Sequence, residues 1–202
     1  MGLKPMRIGM FGGAFDPPHL GHVALARAAV QQLALDQLLV FPTGQAWHKA
    51  RELSPALHRL AMAQLAFADV PHAVVDGREL QREGPTYTVD TLRELQREFP
   101  QAQLLLVIGA DQAEALHSWR ESAEIARLAT ISIAERARPI RPSATFDASQ
   151  LPPGRREPVE LPSMPVSSTE IRQRAAAGQN ISELVPAAVA RYIAQYHLYP
   201  PH

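Results

Sequence analysis

The sequence predicts a doubly wound α/β fold, a mainly parallel sheet of about five strands with helices on both faces. Three features point to it. Short apolar runs alternate with stretches of helical spacing along most of the chain, the pattern of successive βαβ units. The run Arg7–Phe11 ends in Gly12-Gly13 and leads straight into a helix start, a strand–turn–helix unit of the kind that faces an anion with its helix N-terminus. The polar motifs follow the carboxyl ends of predicted strands, which is where right-handed crossovers put ligands in an open parallel sheet.

Taken in order, Arg7–Phe11 reads as a buried strand and Leu20–Leu33 as the first helix, free of proline. Gln37–Phe41 is a second strand closing on Pro42-Thr43-Gly44. Leu53–Ala68 reads as a helix with Ser54 as its cap and Pro55 at its first helical position. His72–Val75 is a short third strand, and Thr88–Phe99 a helix after the Gly84-Pro85 break. Gln103–Ile108 is the clearest buried strand, ending at Gly109-Ala110-Asp111. Helical segments Gln112–Leu116 and Glu121–Leu128 lead to a fifth strand, Ala129–Ala134. The result is a Rossmann-like order of elements. Seven prolines between Arg136 and Pro165 predict a long surface loop, with one short strand at Pro158–Leu161. Ser167 and Glu170 have capping-box spacing for a helix that stops at Gly178, and Pro186–Tyr196 is the last helix. No repeat or second domain is visible, so residues 1–202 read as one domain, with 166–202 its helical C-terminal part.

A chain of 202 residues can bury a sizeable core. Twenty basic and twenty acidic residues cancel, which argues against nucleic-acid binding by a broad basic face. An anionic substrate must then be held by a few local cations. With no cysteine there is neither a disulfide framework nor a thiolate metal site. The longest aliphatic run, Leu104–Ile108, is too short to span a membrane, and Met1–Met6 carries no signal-peptide core. Cytoplasm is the default expectation, and homo-oligomerisation is left open.

His19 and His22, three apart at the helix start, share one face. They can be read as metal ligands, as structural caps, or as donors to phosphate. No further His or carboxylate stands at ligand spacing, and a purely structural pair would not need a glycine turn, so phosphate contact is the favoured reading. The turn lacks both the G-x-G-x-x-G and the G-x-x-x-x-G-K-[ST] patterns.

The stretch Gly12-Gly13-Ala14-Phe15-Asp16-Pro17-Pro18-His19-Leu20-Gly21-His22 resembles the H-x-G-H signature of the nucleotidyltransferase superfamily, and within it the nicotinate-mononucleotide adenylyltransferases. The resemblance implies that both imidazoles donate hydrogen bonds to a triphosphate, with Gly12, Gly13, Ala14 and Phe15 lining the phosphate turn. Ala14 departs from the usual Ser or Thr, removing one hydrogen bond worth about 1 kcal/mol. Ala46-Trp47-His48-Lys49 resembles the family's Pro-Pro-His-Lys loop with both prolines replaced, and His48 and Lys49 keep the phosphate-binding pair. Ser167-Ser168-Thr169-Glu170-Ile171-Arg172 resembles the second signature, Ile-Ser-Ser-Thr-x-Ile-Arg, which implies hydroxyl and guanidinium contacts to the same triphosphate. Tyr87-Thr88 resembles a Tyr-Thr pair at which the Thr88 side chain and the Val89 amide approach a pyridine carboxylate. Gly109 and Asp111 match a Gly-x-Asp that meets ribose hydroxyls. Trp119 falls where the family stacks an indole on the ring, with the Arg120 amide completing the carboxylate contacts.

These matches span about Met6 to Tyr199. They imply an enzyme joining ATP, with Mg²⁺ carried by the ATP, to nicotinic acid mononucleotide. His19, His22, Lys49 and Arg172 would serve the chemistry, with no metal site of the protein's own. Two alternatives keep the fold and change the acceptor, to nicotinamide mononucleotide or pantetheine phosphate. A third is a non-catalytic nucleotide-binding module, with Ala14 and the Trp47 loop as signs of decay.

Overall fold

The structure, a computed structural model, describes residues 4–44, 53–136, 152–162 and 164–201. Six strands, β1 (Arg7–Gly13), β2 (Gln37–Pro42), β3 (Ala73–Val75), β4 (Gln103–Gly109), β5 (Ala129–Arg136) and β6 (Val159–Leu161), form one sheet in the order β3-β2-β1-β4-β5-β6. Every pairing is parallel. The direction of strand addition reverses between β1 and β4, so the crevice beyond their carboxyl ends is the natural ligand position.

Among the described residues seven α-helices cover the sheet: α1 (Leu20–Gln32), α2 (Ala56–Phe67), α3 (Thr88–Glu98), α4 (Ala110–Ala115), α5 (Ser122–Leu128), α6 (Ser168–Ala176) and α7 (Ala187–Gln195). A 3₁₀ turn, Arg78–Gln81, precedes α3, and another, Leu116–Ser118, follows α4. The central strands β1, β2 and β4 are buried on both faces, and alternate residues go to opposite cores. Leu38 and Val40 of β2, with Leu105 and Val107 of β4, pack on the side of α1, α2, α6 and α7. Leu39 and Phe41, with Leu104, Leu106 and Ile108, pack on the side of α3, α4 and α5.

Three sequence expectations change. The sheet has six strands where about five were expected, because the short strand expected at Pro158–Leu161 is present as Val159–Leu161 and joins the sheet as a parallel edge strand. Tertiary contacts recruit this strand: the Ile131 amide donates to the Arg155 carbonyl (2.9 Å) and the Glu157 amide to the Ile131 carbonyl (3.1 Å). Arg7 holds Glu157 at 2.7 Å. Second, Ser54 does not cap α2: Pro55 occupies the cap position without a side-chain bond, and the Ser54 amide instead donates to Asp16 (3.2 Å). Third, Ser167 caps α6 by accepting from the Glu170 amide (3.2 Å), but the Glu170 carboxylate does not return the bond and pairs with Arg174 at 2.6 Å.

The end of β2 lies close against the 3₁₀ turn. A Cβ added at Gly44 would sit 2.7 Å from Thr86 Oγ1 and would overlap the Glu79 carbonyl oxygen. The Gly44→Ala variant should lose about 1–3 kcal/mol of stability, seen as a lower urea midpoint at unchanged slope.

Candidate active site

The turn after β1 is shaped by side chains from distant parts of the chain. Gly12 and Gly13 are not among the residues with positive φ; that role falls to Phe15, at φ 47°. A Cβ on Gly13 would lie 2.9 Å from the Phe15 ring, whereas one on Gly12 would meet nothing within 4 Å. Phe15 is buried and packs edge-on against Phe11 (5.5 Å) and Phe67 (5.4 Å), which holds a bulky residue in a conformation it rarely adopts.

Arg59 of α2 is 3% exposed, and sequence reading missed it. Its guanidinium donates to the carbonyls of Ala14 (3.0 Å), Thr43 (2.7 Å) and Ser54 (3.0 Å). One cation therefore ties the phosphate turn, the end of β2 and the approach to α2. An arginine spaced within an amphipathic helix gives no sequence signal of this. From the other side, Arg172 donates to the Asp16 carbonyl (2.7 Å) and Ser168 to the Pro17 carbonyl (2.9 Å). The buried Asp16 carboxylate accepts from Tyr199 (2.7 Å). Carboxylate and burial together hold the Tyr199 phenol well above its usual range, burial being the larger cause. Both ends of the chain thus converge on residues 16–17.

His19 and His22 begin α1 as a reciprocal cap. The His22 amide donates to His19 Nδ1 (3.3 Å) and the His19 amide donates to His22 Nδ1 (3.1 Å). The two rings are stacked, centroids 3.7 Å apart at 22°, and His22 packs edge-on against Phe15 at 5.2 Å. A neutral imidazole has one donor and one acceptor nitrogen. With both Nδ1 atoms accepting, the hydrogen-bond network assigns the proton of each ring to Nε2. Burial lowers the His19 pKa from 6.5 to about 4, so this ring is neutral at pH 7. The cap and phosphate readings are therefore compatible. At this helix start two of the first amides already have partners. The Leu20 amide donates to the Leu184 carbonyl (2.9 Å), and the His22 amide is taken by His19. Neither of those two amides is therefore open to an anion.

A cavity of about 330 Å³ opens at the switch between β1 and β4. Gly12, Gly13, Ala14 and Thr43 form one wall, and Thr86, Tyr87, Thr88 and Glu79 another. Asp111, Trp119 and Arg120 close the far side over an apolar floor that includes Met10, Leu106 and Ile108. Tyr87 is the cap residue of α3 and offers no side-chain bond to the helix. The Thr88 and Val89 amides, first in the helix, have no partner in its ladder. The Val89 side chain itself is fully buried in the core. The Arg120 guanidinium lies over the Tyr87 ring, 4.6 Å from its centre, a cation–π contact that the sequence did not indicate. Gly109 is the cap residue of α4, its amide donating to Gln112 (3.3 Å).

The structure thus gathers Gly12, Gly13, Ala14, Thr88, Asp111, Trp119 and Arg120 around one cavity. It sets His19, His22, Ser168 and Arg172 about the adjoining turn. Thr169 accepts from Arg172 (3.1 Å), and Ser167 serves as the α6 cap. His48 and Lys49, with Ala46 and Trp47, lie outside the described residues. Among the described residues no group of three or more His, Asp or Glu side chains is arranged to hold a metal, and no helix is long and apolar enough to cross a membrane.

A family model described as cytidylyltransferase-like matches residues 10–174. The chain belongs to that family. Within it, the chain is 55% identical over 193 residues to a protein of Albidiferax ferrireducens, covering 96% of this chain and 98% of the relative. It is 45% identical over 201 residues to one of Methylibium petroleiphilum, covering 96% and 93%. Both carry the name "Probable nicotinate-nucleotide adenylyltransferase". Among solved structures, the Plasmodium falciparum nicotinic acid mononucleotide adenylyltransferase complexed with NaAD superposes with a TM-score of 0.78 at 19% identity, over 96% of this chain and 97% of that one. At that identity the match speaks for the cytidylyltransferase-like fold.

Two outcomes follow from the site's wiring. Between pH 6.5 and about 4 the unfolded chain protonates at position 19 while the folded one does not. Stability should therefore fall as pH falls through that window, by at most about 3 kcal/mol. Urea unfolding at pH 7 and pH 4.5 should show a smaller acid loss in His19→Asn than in the parent. Separately, an ammonium cannot span three carbonyls as a guanidinium does. Arg59→Lys should cost about 2–3 kcal/mol by the same unfolding measurement.

Proposed function

We propose that this chain is a nicotinate-nucleotide adenylyltransferase, moving AMP from ATP to nicotinic acid mononucleotide and releasing pyrophosphate. The observation that carries the reading is the junction of a phosphate turn and a ring-sized pocket at one strand switch: Gly12–Ala14 on one wall, Tyr87-Thr88 and Trp119 on the others. The names of the relatives support the same reaction.

A phosphate oxygen of the mononucleotide attacks the α-phosphorus of ATP in line; the new P–O bond forms as the bond to the β-phosphate bridge breaks. No covalent enzyme intermediate is needed. The chain's work is to hold two anions together and to stabilise charge on the departing pyrophosphate. His19 and His22 supply N–H donors whose tautomer is fixed before the reaction by the reciprocal cap. Arg172, Lys49 and His48 bring further donors and charge to the phosphates, as do Ser167, Ser168 and Thr169 at the start of α6. ATP enters as its Mg²⁺ complex, and the ion offsets charge on the triphosphate. Asp111 and Gly109 meet a ribose. Trp119 flanks the pyridine ring, while the first amides of α3 and that of Arg120 face its carboxylate. The reaction runs in the cytoplasm, and both substrates are small molecules.

Pyrophosphate release should be strong with ATP, Mg²⁺ and nicotinic acid mononucleotide, weaker with nicotinamide mononucleotide, and absent with pantetheine phosphate or after chelation of Mg²⁺. Nucleotide binding without release from any acceptor would overturn the assignment. His22→Ala should lower kcat by about 10²–10³, with only about 1 kcal/mol of lost capping in an unfolding titration. Near-parental kcat would remove His22 from the chemistry.

A further inference from the structure

Glu79 has no part in the chemistry above, yet it lines the cavity. It sits in the 3₁₀ turn before α3 and is 4% exposed. Its Oε1 accepts from the Thr91 hydroxyl at 2.7 Å, one helical turn beyond Thr88 on the same face of α3. Among the described residues it has no ion pair. The nearby guanidiniums are committed elsewhere: Arg82 to Thr91 (2.8 Å) and Glu94 (2.6 Å), Arg78 to Asp76 (2.6 Å) and Glu98 (3.0 Å). Among the described residues the other charged side chains lining the cavity are Asp111 and Arg120. Arg120 is half exposed and shared with Glu121. A second negative charge fixed at Glu79 would oppose any anionic ring placed in this pocket.

We propose that Glu79 sets the charge preference of the acceptor pocket: carrying its proton it admits a ring bearing a carboxylate, and ionised it disfavours that ring relative to a neutral carboxamide. This rests on reading the cavity as the acceptor site. Burial pushes the Glu79 carboxyl up to about 7, against the opposing effects of the Thr91 bond and of Arg82, while Glu94 and Asp76 push the same way as burial. The two forms are therefore both available near neutral pH. By linkage, the acid acceptor should draw a proton onto the protein when it binds near pH 7, and the amide should not.

The test compares kcat/KM for the two pyridine mononucleotides between pH 6 and 8.5, in the parent and in Glu79→Gln, which can still accept from Thr91. Taking the ratio cancels whatever titrates in common, including the acceptor phosphate and His19. In the parent the acid-to-amide ratio should fall on the order of tenfold as pH rises through 7, the effect of like charges roughly 10 Å apart at an effective dielectric near 20. In Glu79→Gln it should stay flat. Calorimetry of acceptor binding at pH 7, in buffers of different ionisation enthalpy, should show proton uptake with the acid in the parent and none in the variant. A flat parental ratio, or an equal slope in both proteins, would overturn the role of Glu79 while leaving the enzyme reading intact. Equal loss of activity with both acceptors and an unchanged slope would do the same, reducing Glu79 to a structural part. No turnover with either acceptor would overturn the enzyme reading and this inference together.

Discussion

The turn from Gly12 to Pro18 is held by hydrogen bonds to its carbonyls and its one carboxylate from outside. Buried backbone oxygens need partners, and here the donors come from α2, from α6 and from the C-terminal tail: Arg59, Ser168 and Arg172, and Tyr199. Much else follows from that requirement. The helices that supply these donors must pack on the same side of the sheet, which they do in the core containing Phe11, Phe67, Ile171 and Val189. The shape of the phosphate turn is thereby coupled to elements over a hundred residues away.

The same turn offers a chain with no net charge the donors that the proposed reaction requires. Its two histidines are oriented by each other and by the amides of their own helix start, and His19 stays neutral through burial. Neutral donors with a fixed tautomer avoid the cost of burying full charges and remain aimed as charge develops. Two permanent cations, Arg59 and Arg172, already bond the turn's own carbonyls. They shape the site as well as charging it.

At the other end of the cavity the structure uses helix α3 in a similar economical way. Its cap residue, Tyr87, leaves the first amides without a side-chain partner, while the ring supports the Arg120 guanidinium. Thr86, Gly44 and the Glu79 carbonyl meet in close contact behind it. The start of α3, the end of β2 and the 3₁₀ turn are thus one rigid corner, and the buried Glu79 carboxyl belongs to it.

The sequence by itself determined the periodicities and the local motifs. The strand Gln103–Ile108, the helix beginning at Thr88, the glycine turn before His19 and His22, and the Ser167 cap could all be read because each depends on residues within a few positions of one another. Parallel order and the ligand crevice also followed, from alternation and handedness. Only the tertiary structure decided the rest. The short strand legible at Pro158–Leu161 is taken into the sheet edge because β5 pairs with it, Ser54 serves Asp16 instead of a helix, and Glu170 turns to Arg174 instead of its own cap. Arg59, Glu79 and the stacking of Arg120 on Tyr87 were invisible for the same reason. Hydrogen bonds, burial and ion pairing act between groups that the chain brings together only after folding, and no residue's type alone says which partner it will meet.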